Sequence, residues 1–371
     1  LFLITHLPGL TTLPVFADEA IYIRWAQLII DDAGRYLFLP LNDGKTPLWF
    51  WSMLPLLNSS LDPLYAARLT AVLVGALQVV VTAVTGYVIA TKSKQRSRVA
   101  LTAALLTTVL PFWYFHHRMA LTDGMTTLWA SVSVLFALIA ILYQHPTWRK
   151  ALLWLGTGVA LGLGILTKIP AVLVLPSLFL IPLLRLRDGW SSINWKQTRS
   201  VLIKDYLGLV VAVGIALGMF LSLKFTPLFG QLFSRGSDFL FPIQEILFEG
   251  KLLITLGRFP EYLLNIASYM TWPVLALHVA GLFISRHRWL HHYLFWSSLL
   301  VIAPIALLGK IVYPRYFLLT AIFITPHVAL VLDDIIHSFI EHSDSFLKQA
   351  AVALLLSALG GLTMTSAAAF M

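Results

Sequence analysis

The chain has 371 residues, of which 58% are hydrophobic and only 12% charged, whereas a water-soluble domain carries about 25% charged residues. Half the usual charge cannot clothe a water-facing surface, so a soluble enzyme, a disordered tail, a secreted disulfide scaffold and a collagen-like fibre are all excluded. The net charge of +9 falls in short basic runs between apolar stretches, the pattern that orients a multi-pass membrane protein, and nucleic acid is not expected as a partner. With no Cys, disulfides, thiolate metal sites and a cysteine nucleophile drop out as well.

In chain order, the run Leu1–Leu13 is short for a hydrocarbon core of about 30 Å and is expected to be the end of a first span that starts upstream. Residues 14–62 are too many for a simple hairpin and read as an outer loop carrying two interfacial helices. Ile21, Trp25, Leu28 and Ile29 recur at helical spacing opposite Arg24, Gln27 and Asp31, which predicts an amphipathic helix lying in the interface. That helix is expected to begin near Ala20 with Asp18 as its cap, which leaves Glu19 without a capping role. The Trp-rich piece Pro47–Leu57 is too short to cross a bilayer and reads as the second interfacial helix.

Asp62-Pro63 is an N-cap followed by Pro at the first helical position. Spans are expected at about 63–90, 99–115, 124–143, 151–167 and 170–186, the last two joined by a very tight turn at Lys168-Ile169-Pro170. Others follow at about 205–226, 262–284, 293–308, 316–333 and 349–371, with a second long outer segment at 227–261. The expectation is an all-α polytopic protein of about eleven transmembrane helices, one membrane domain over 1–371, with no soluble C-terminal domain. Basic runs at Lys92–Arg98, Arg149-Lys150, Arg185–Lys204 and Arg286–Arg288 then all fall on one side, which the positive-inside rule makes cytoplasmic.

An ionisable group in or near hydrocarbon costs about 2.5–3.5 kcal/mol on the insertion scale and needs a reason to be there. Asp18, Glu19, Lys45, Arg68, His116, His117, Arg118, Asp123, Lys168, Glu249, Lys251, Arg258, Lys310 and Arg315 all map to the outer ends of spans or the outer loops. A reactive site open to the outer face fits this pattern better than a path through the membrane. Each group also has a plain structural reading: Asp123 as an N-cap, His116-His117 as an interfacial aromatic pair, and Arg24, Arg35 and Lys224 as snorkelling cations. No HExxH, GxSxG, P-loop or GxGxxG pattern occurs. In combination, a carboxylate pair supplies a general base, and nearby cations can hold a phosphate leaving group. Trp49, Trp51, Trp113 and Tyr114 offer flat faces for sugar rings or form aromatic belts.

Six short elements in order resemble the GT-C membrane glycosyltransferases, more narrowly the branch of protein O-mannosyltransferases and lipid A aminoarabinose transferase (families 39 and 83). They are Phe16-Ala17-Asp18-Glu19-Ala20, Gly44-Lys45-Thr46-Pro47-Leu48-Trp49-Phe50-Trp51, Ala67-Arg68-Leu69, Ala120-Leu121-Thr122-Asp123, Gly164-Ile165-Leu166-Thr167-Lys168-Ile169-Pro170 and Pro314-Arg315-Tyr316. Thr46 replaces the branch's first Pro, Ile169 its turn Gly, and Gly44 stands where some relatives carry an acidic residue. A divalent metal therefore stays open as a cofactor, with Asp123 and His117 as its alternative ligands.

The resemblance implies glycosyl transfer from a polyprenyl-phosphate-linked sugar to a lipid, glycan or protein hydroxyl, with inversion. It would take place at the periplasmic or extracellular face of a plasma membrane, the inner membrane of a bacterium. Asp18 and Glu19 are then the catalytic pair, Asp18 as the base and Glu19 supporting it or helping to bind the acceptor; Lys45, Arg315, Lys310 and Arg258 hold the donor phosphate; Arg68, His117, Asp123 and Lys168 support the site or the acceptor. A transporter or flippase of a lipid-linked sugar and a polysaccharide polymerase or ligase are the rival readings.

Overall fold

The computed structural model describes residues 1–40, 43–90, 93–188, 195–234 and 236–341. It is built from helices, and the protein is a multi-pass membrane protein. Among the described residues, seven helices are long and apolar enough to cross a bilayer, or eight if one bent pair counts as a single span. The span expected at 349–371 lies outside the described residues. The expected end of a first span is a short helix, Phe2–His6.

The first interfacial segment folds as α1 (Ala17–Asp31) and the second as α2 (Leu48–Leu57). Helix α1 starts three residues before its expected start. Phe16 is the N-cap, and the Glu19 carboxylate accepts a 3.0 Å hydrogen bond from the Phe16 backbone N–H. Asp18 is therefore not a cap; it sits at the second helical position, beside the positive end of the helix dipole. The buried face of α1 is Glu19, Tyr22, Ile23, Trp25, Ala26 and Ile29, while Ile21 stays exposed.

Helix α3 (Pro63–Ile89) opens as expected, with Asp62 Oδ1 accepting from the Tyr65 N–H at 2.9 Å. The stretch read as one span at 99–115 is two pieces, α4 (Ser93–Val109) and α5 (Pro111–His116). Pro111 has no N–H to continue the ladder, so the chain turns at Leu110. Next come α6 (Thr122–Leu142) and α7 (Thr147–Thr167), then the mixed 3-10 and α span α8 (Ile169–Leu186). Lys168 alone is non-helical between α7 and α8, the tight turn that the sequence predicts.

After α9 (Trp195–Leu221) the chain makes short helical pieces and then α10 (Lys251–Met270) and α11 (Trp272–Phe283). The straight span expected at 262–284 is in fact bent by 108°. Thr271 sits at the break with φ +70°, and Pro273 follows in the first turn of α11. Helices α12 (Arg288–Leu308) and α13 (Pro314–His337) complete the described bundle. Helices α6 and α13 are its most enclosed members, and α9 packs on the outside against α7. A short antiparallel tie, Phe241 N–H to Leu308 O at 2.8 Å and Lys310 N–H to Phe239 O at 2.9 Å, joins the long outer segment to the end of α12.

The basic runs gather at one end of the bundle. There Arg98 pairs with Asp333 at 2.5 Å, and Lys150 and Arg185 both pair with the buried Asp205. Asp18, Lys45, Asp123, Lys168 and Arg315 lie at the other end. A topology reporter fused near Lys94 is accordingly expected to be active only in the cytoplasm, and one near Gly236 only outside. A cytoplasmic signal at Gly236 would invert the bundle and turn its charged cavity inward.

Candidate active site

The head of α3 is tied to α1 by a fully buried ion pair. Arg68 donates to Glu19 twice, Nε to Oε1 at 2.9 Å and Nη2 to Oε2 at 2.7 Å. Glu19 also accepts from the backbone N–H of Phe16 and, at 2.7 Å, of Ala120. Arg68 donates its remaining bonds to the carbonyls of Leu10, Leu13 and Pro14. With two donors on each carboxylate oxygen and no exposure to solvent, Glu19 cannot take a proton from a substrate. It is a positioning residue, and Arg68 with it. Their reading as catalytic or acceptor-binding groups is corrected on that ground.

Asp18, the adjacent residue, is rotated about 100° around the helix and meets a different partner. Arg315 Nη1 donates to Asp18 Oδ2 at 2.6 Å. The Arg315 guanidinium lies against the rings of Phe16, Tyr313 and Tyr316, and its buried Nε has no hydrogen-bond partner. An unmatched buried donor on a fixed cation is a place for an anion.

Lys168 donates to Asp123 Oδ1 at 2.7 Å, with its ammonium 5.0 Å from the Tyr316 ring centroid. Asp123 sits inside the first turn of α6 and binds this side chain, so it is not the N-cap, a place that Leu121 takes. Lys45 lies 3.8 Å from Asp43 and over the Tyr22 ring at 5.5 Å. Gly44 between them has φ +69°, and a Cβ there would stand 3.0 Å from the Leu232 carbonyl. Glycine is what lets the chain bring both neighbours into the site. Burial, reinforced by the Lys168 charge, pushes the Lys45 ammonium below its ordinary range. Burial, reinforced by the Asp18 and Asp123 charges, pushes the Tyr22 phenol up.

These groups share a cavity of about 380 Å³. Asp43, Lys45, Asp123, Lys168 and Arg315 supply its charged lining, with Asp18 attached through Arg315. The rest is apolar, including Leu173, Leu240, Pro304, Ile305, Leu308 and Leu319. The structure therefore brings together Asp18, Lys45, Asp123, Lys168 and Arg315.

It does not bring in His117, Arg258 or Lys310. His117 is buried against Gly75 and stacked on Trp113, so the reading of His116-His117 as an interfacial pair is corrected too. Arg258 donates to the Lys310 carbonyl, and the Lys310 side chain is exposed beside the cavity wall. Trp49 and Trp113 are fully buried core residues, which removes them as sugar platforms.

Sequence reading missed Asp43, Tyr22 and Tyr316. Of these Asp43 carried a signal as an acid two residues before Lys45, and Tyr316 as the last member of the Pro314-Arg315-Tyr316 element, while Tyr22 carried none. The carboxylates Asp18, Asp43 and Asp123 each face a cation already. Among the described residues, no three acids or histidines of this cavity lie close enough to one another to share a metal ion, so the donor set does not fit a dedicated divalent-metal site there.

The sequence profile of the family described as dolichyl-phosphate-mannose-protein mannosyltransferase matches residues 31–229. This range contains Lys45, Arg68, Asp123 and Lys168 but not Asp18 or Arg315. Among curated proteins, none matches the chain significantly.

Among solved structures, the fold is similar to ArnT from Cupriavidus metallidurans bound to undecaprenyl phosphate. The TM-score is 0.55 at 18% identity, over 90% of this chain and 57% of that one. It is also similar to the Archaeoglobus fulgidus oligosaccharyltransferase AglB in complex with an inhibitory peptide and a dolichol-phosphate. There the TM-score is 0.61 at 13% identity, over 95% of this chain and 51% of that one. A complex of the A. fulgidus enzyme with Zn and sulfate matches at TM-score 0.60 and 13% identity, over 95% of this chain and 48% of that one. The chain thus spans about half the length of these proteins. The resemblance to GT-C membrane glycosyltransferases is borne out.

The geometry makes two predictions. Glu19→Gln leaves the buried Arg68 charge uncompensated and is expected to cost about 3–5 kcal/mol, read as a lower thermal midpoint of the detergent-solubilised protein. An unchanged midpoint would remove the pair from its positioning role. The second concerns pH. Lys45 loses its charge as pH rises through its lowered pKa, so affinity for a polyprenyl phosphate should fall on the alkaline side. Lys45→Arg, charged at every accessible pH, should abolish that fall. A profile identical in both proteins would assign the phosphate to Lys168 or Arg315 alone.

Proposed function

We propose, for a chain that belongs to the dolichyl-phosphate-mannose-protein mannosyltransferase family, that it transfers a sugar from a polyprenyl-phosphate carrier to an acceptor hydroxyl. One observation carries the reading: a partly exposed carboxylate, Asp18, is joined to an arginine with an unmatched N–H at the charged side of an otherwise apolar cavity.

In the proposed step the acceptor oxygen attacks the anomeric carbon from the side opposite the phosphate. The bond from that carbon to the phosphate oxygen breaks, its electron pair leaves with the phosphate, and the configuration inverts. Asp18 accepts the hydroxyl proton. Arg315 and Lys45, with Lys168 behind them, offset the charge that builds on the leaving phosphate, while the Ile305, Leu308 and Leu319 side takes the first isoprene units. Asp123 holds Lys168 in place.

Undecaprenyl phosphate in the Cupriavidus structure and dolichol-phosphate in the Archaeoglobus one support a donor of this class. The acceptor is a lipid, glycan or protein hydroxyl. With the basic end of the bundle in the cytoplasm, the cavity opens at the periplasmic or extracellular face of a plasma membrane, the bacterial inner membrane, within reach of its lipids. The transporter reading has less support, because the bent span 251–283 contributes none of the five charged groups.

The test separates chemistry from donor binding. Asp18→Asn keeps an acceptor for Arg315 but is a far weaker base. It should retain polyprenyl-phosphate binding while transfer falls by roughly 10²–10⁴. Arg315→Ala should lose both. Transfer at the wild-type rate by Asp18→Asn would overturn the assignment of the base.

A further inference from the structure

At the basic end of the bundle, far from the cavity, α12 and α13 enclose a cluster that the transfer reaction does not use. Asp334 and His291 are buried, and His287 lies at the rim. Asp334 Oδ2 is 2.9 Å from His287 Nδ1 and 3.1 Å from His291 Nε2. Its other oxygen accepts a 3.0 Å bond from Gln95 Nε2 and lies 3.3 Å from Arg286 Nε.

We propose that His287, His291 and Asp334 form a binding site for one divalent transition-metal ion of the zinc class, held by His287 Nδ1, His291 Nε2 and Asp334 Oδ2.

Two imidazoles and one carboxylate are a donor set suited to zinc, with the remaining position left to water. The three donor atoms already lie within 4.8 Å of one another. Ligands about 2.1 Å from a tetrahedral zinc stand about 3.4 Å apart, so the two spacings to Asp334 Oδ2 need only open by a few tenths of an ångström.

The surroundings fit a ligand set better than a simple ion pair. Gln95 and Arg286 occupy the carboxylate oxygen that the histidines do not use. This is the outer-shell support a metal-binding carboxylate carries. Behind His291 runs a line of rings: His291 Nδ1 is 3.0 Å from His327 Nε2, His327 Nδ1 is 2.7 Å from His278 Nδ1, and His278 Nε2 is 3.0 Å from Ser298 Oγ. Ser298 donates in turn to the Phe295 carbonyl at 2.7 Å.

If a metal takes the His291 Nε2 lone pair, His291 carries its proton on Nδ1. Each ring then donates to the next, and the line ends on a carbonyl with every donor matched. In the reverse direction, one Ser298 proton would have to serve both His278 and the Phe295 carbonyl. The backbone also bends to deliver His287. Its φ of +53° and ψ of +25° lie in the left-handed region, and among described non-glycine residues only Thr271 also has a positive φ.

The full chain, purified in detergent through a tag free of histidine and stripped with a chelator, is titrated with Co²⁺ and then Zn²⁺. One equivalent of Co²⁺ should give the visible absorption of four-coordinate cobalt, and Zn²⁺ should bleach it. His287→Asn tolerates the left-handed backbone and lacks the imidazole. It should keep the helical circular dichroism of the metal-free protein and weaken this equivalent by more than about tenfold, the least that loss of even an outer-shell partner costs. Absence of Co²⁺ absorption in the wild type, or equal affinity in His287→Asn, would overturn the site. X-ray absorption of the zinc-loaded wild type needs no variant. Two imidazole ligands support the proposal, and one or none overturns it.

Discussion

Glu19 and Arg68 are both withdrawn from water, a position neither charge could hold without the other. Their five further hydrogen bonds are not spare: they reach the backbone at Leu10, Leu13, Pro14, Phe16 and Ala120. One ion pair thus joins the segment before α1, the start of α1, the head of α3 and the turn into α6. Those pieces carry Asp18 and Asp123. A helix that places Glu19 inward must place Asp18 about a quarter-turn away, where it reaches Arg315 from the far end of the sequence. The catalytic reading of Asp18 therefore depends on a residue that does no chemistry.

Within the cavity the charges are close to balanced, with Asp18, Asp43 and Asp123 facing Arg315, Lys45 and Lys168. In the proposed reaction an arriving phosphate would compete with these carboxylates for the same cations. Lys45 is the loosest of the three, 3.8 Å from its acid and depressed in basicity by burial and by Lys168. It gains most from an anion. Arg315 can add a phosphate through its unmatched Nε while keeping Asp18 on Nη1. The fork of a guanidinium permits that division, and an ammonium would not hold it.

Much of this was legible in residue order. The Asp62-Pro63 start of α3, the one-residue turn at Lys168 and the basic runs at a single end follow from local chemistry and hydropathy. The start of α1 did not follow. Glu19 looks redundant if the helix opens at Ala20, and only its contact with Phe16 N–H reveals the earlier start. The 108° bend at Thr271 was hidden because hydropathy measures how apolar a stretch is and not whether it is straight. Long-range convergence was least visible. Asp43 reaches the site only because Gly44 adopts a positive φ, and His278, His291, His327 and Asp334 come from three helices whose spacing in sequence has no repeat.

The two ends of the bundle treat charge in opposite ways. At the basic end the carboxylates are sealed: Asp205 and Asp334 have no exposed side-chain surface, and their cationic partners stand partly in solvent. Such a pair is closed on the acid side, so nothing but a proton or a metal ion small enough to enter can replace the cation. At the cavity end both members stay partly open, with Asp18 at 23% and Arg315 at 19% of side-chain exposure. Partial exposure lowers the energy of each pair through screening, and for that reason lets either partner be exchanged for a ligand. The Glu19–Arg68 pair can be sealed because it only has to hold helices together. In the proposed reaction Asp18–Arg315 has to stay openable, because its arginine would accept a phosphate and its carboxylate a proton in the same turnover.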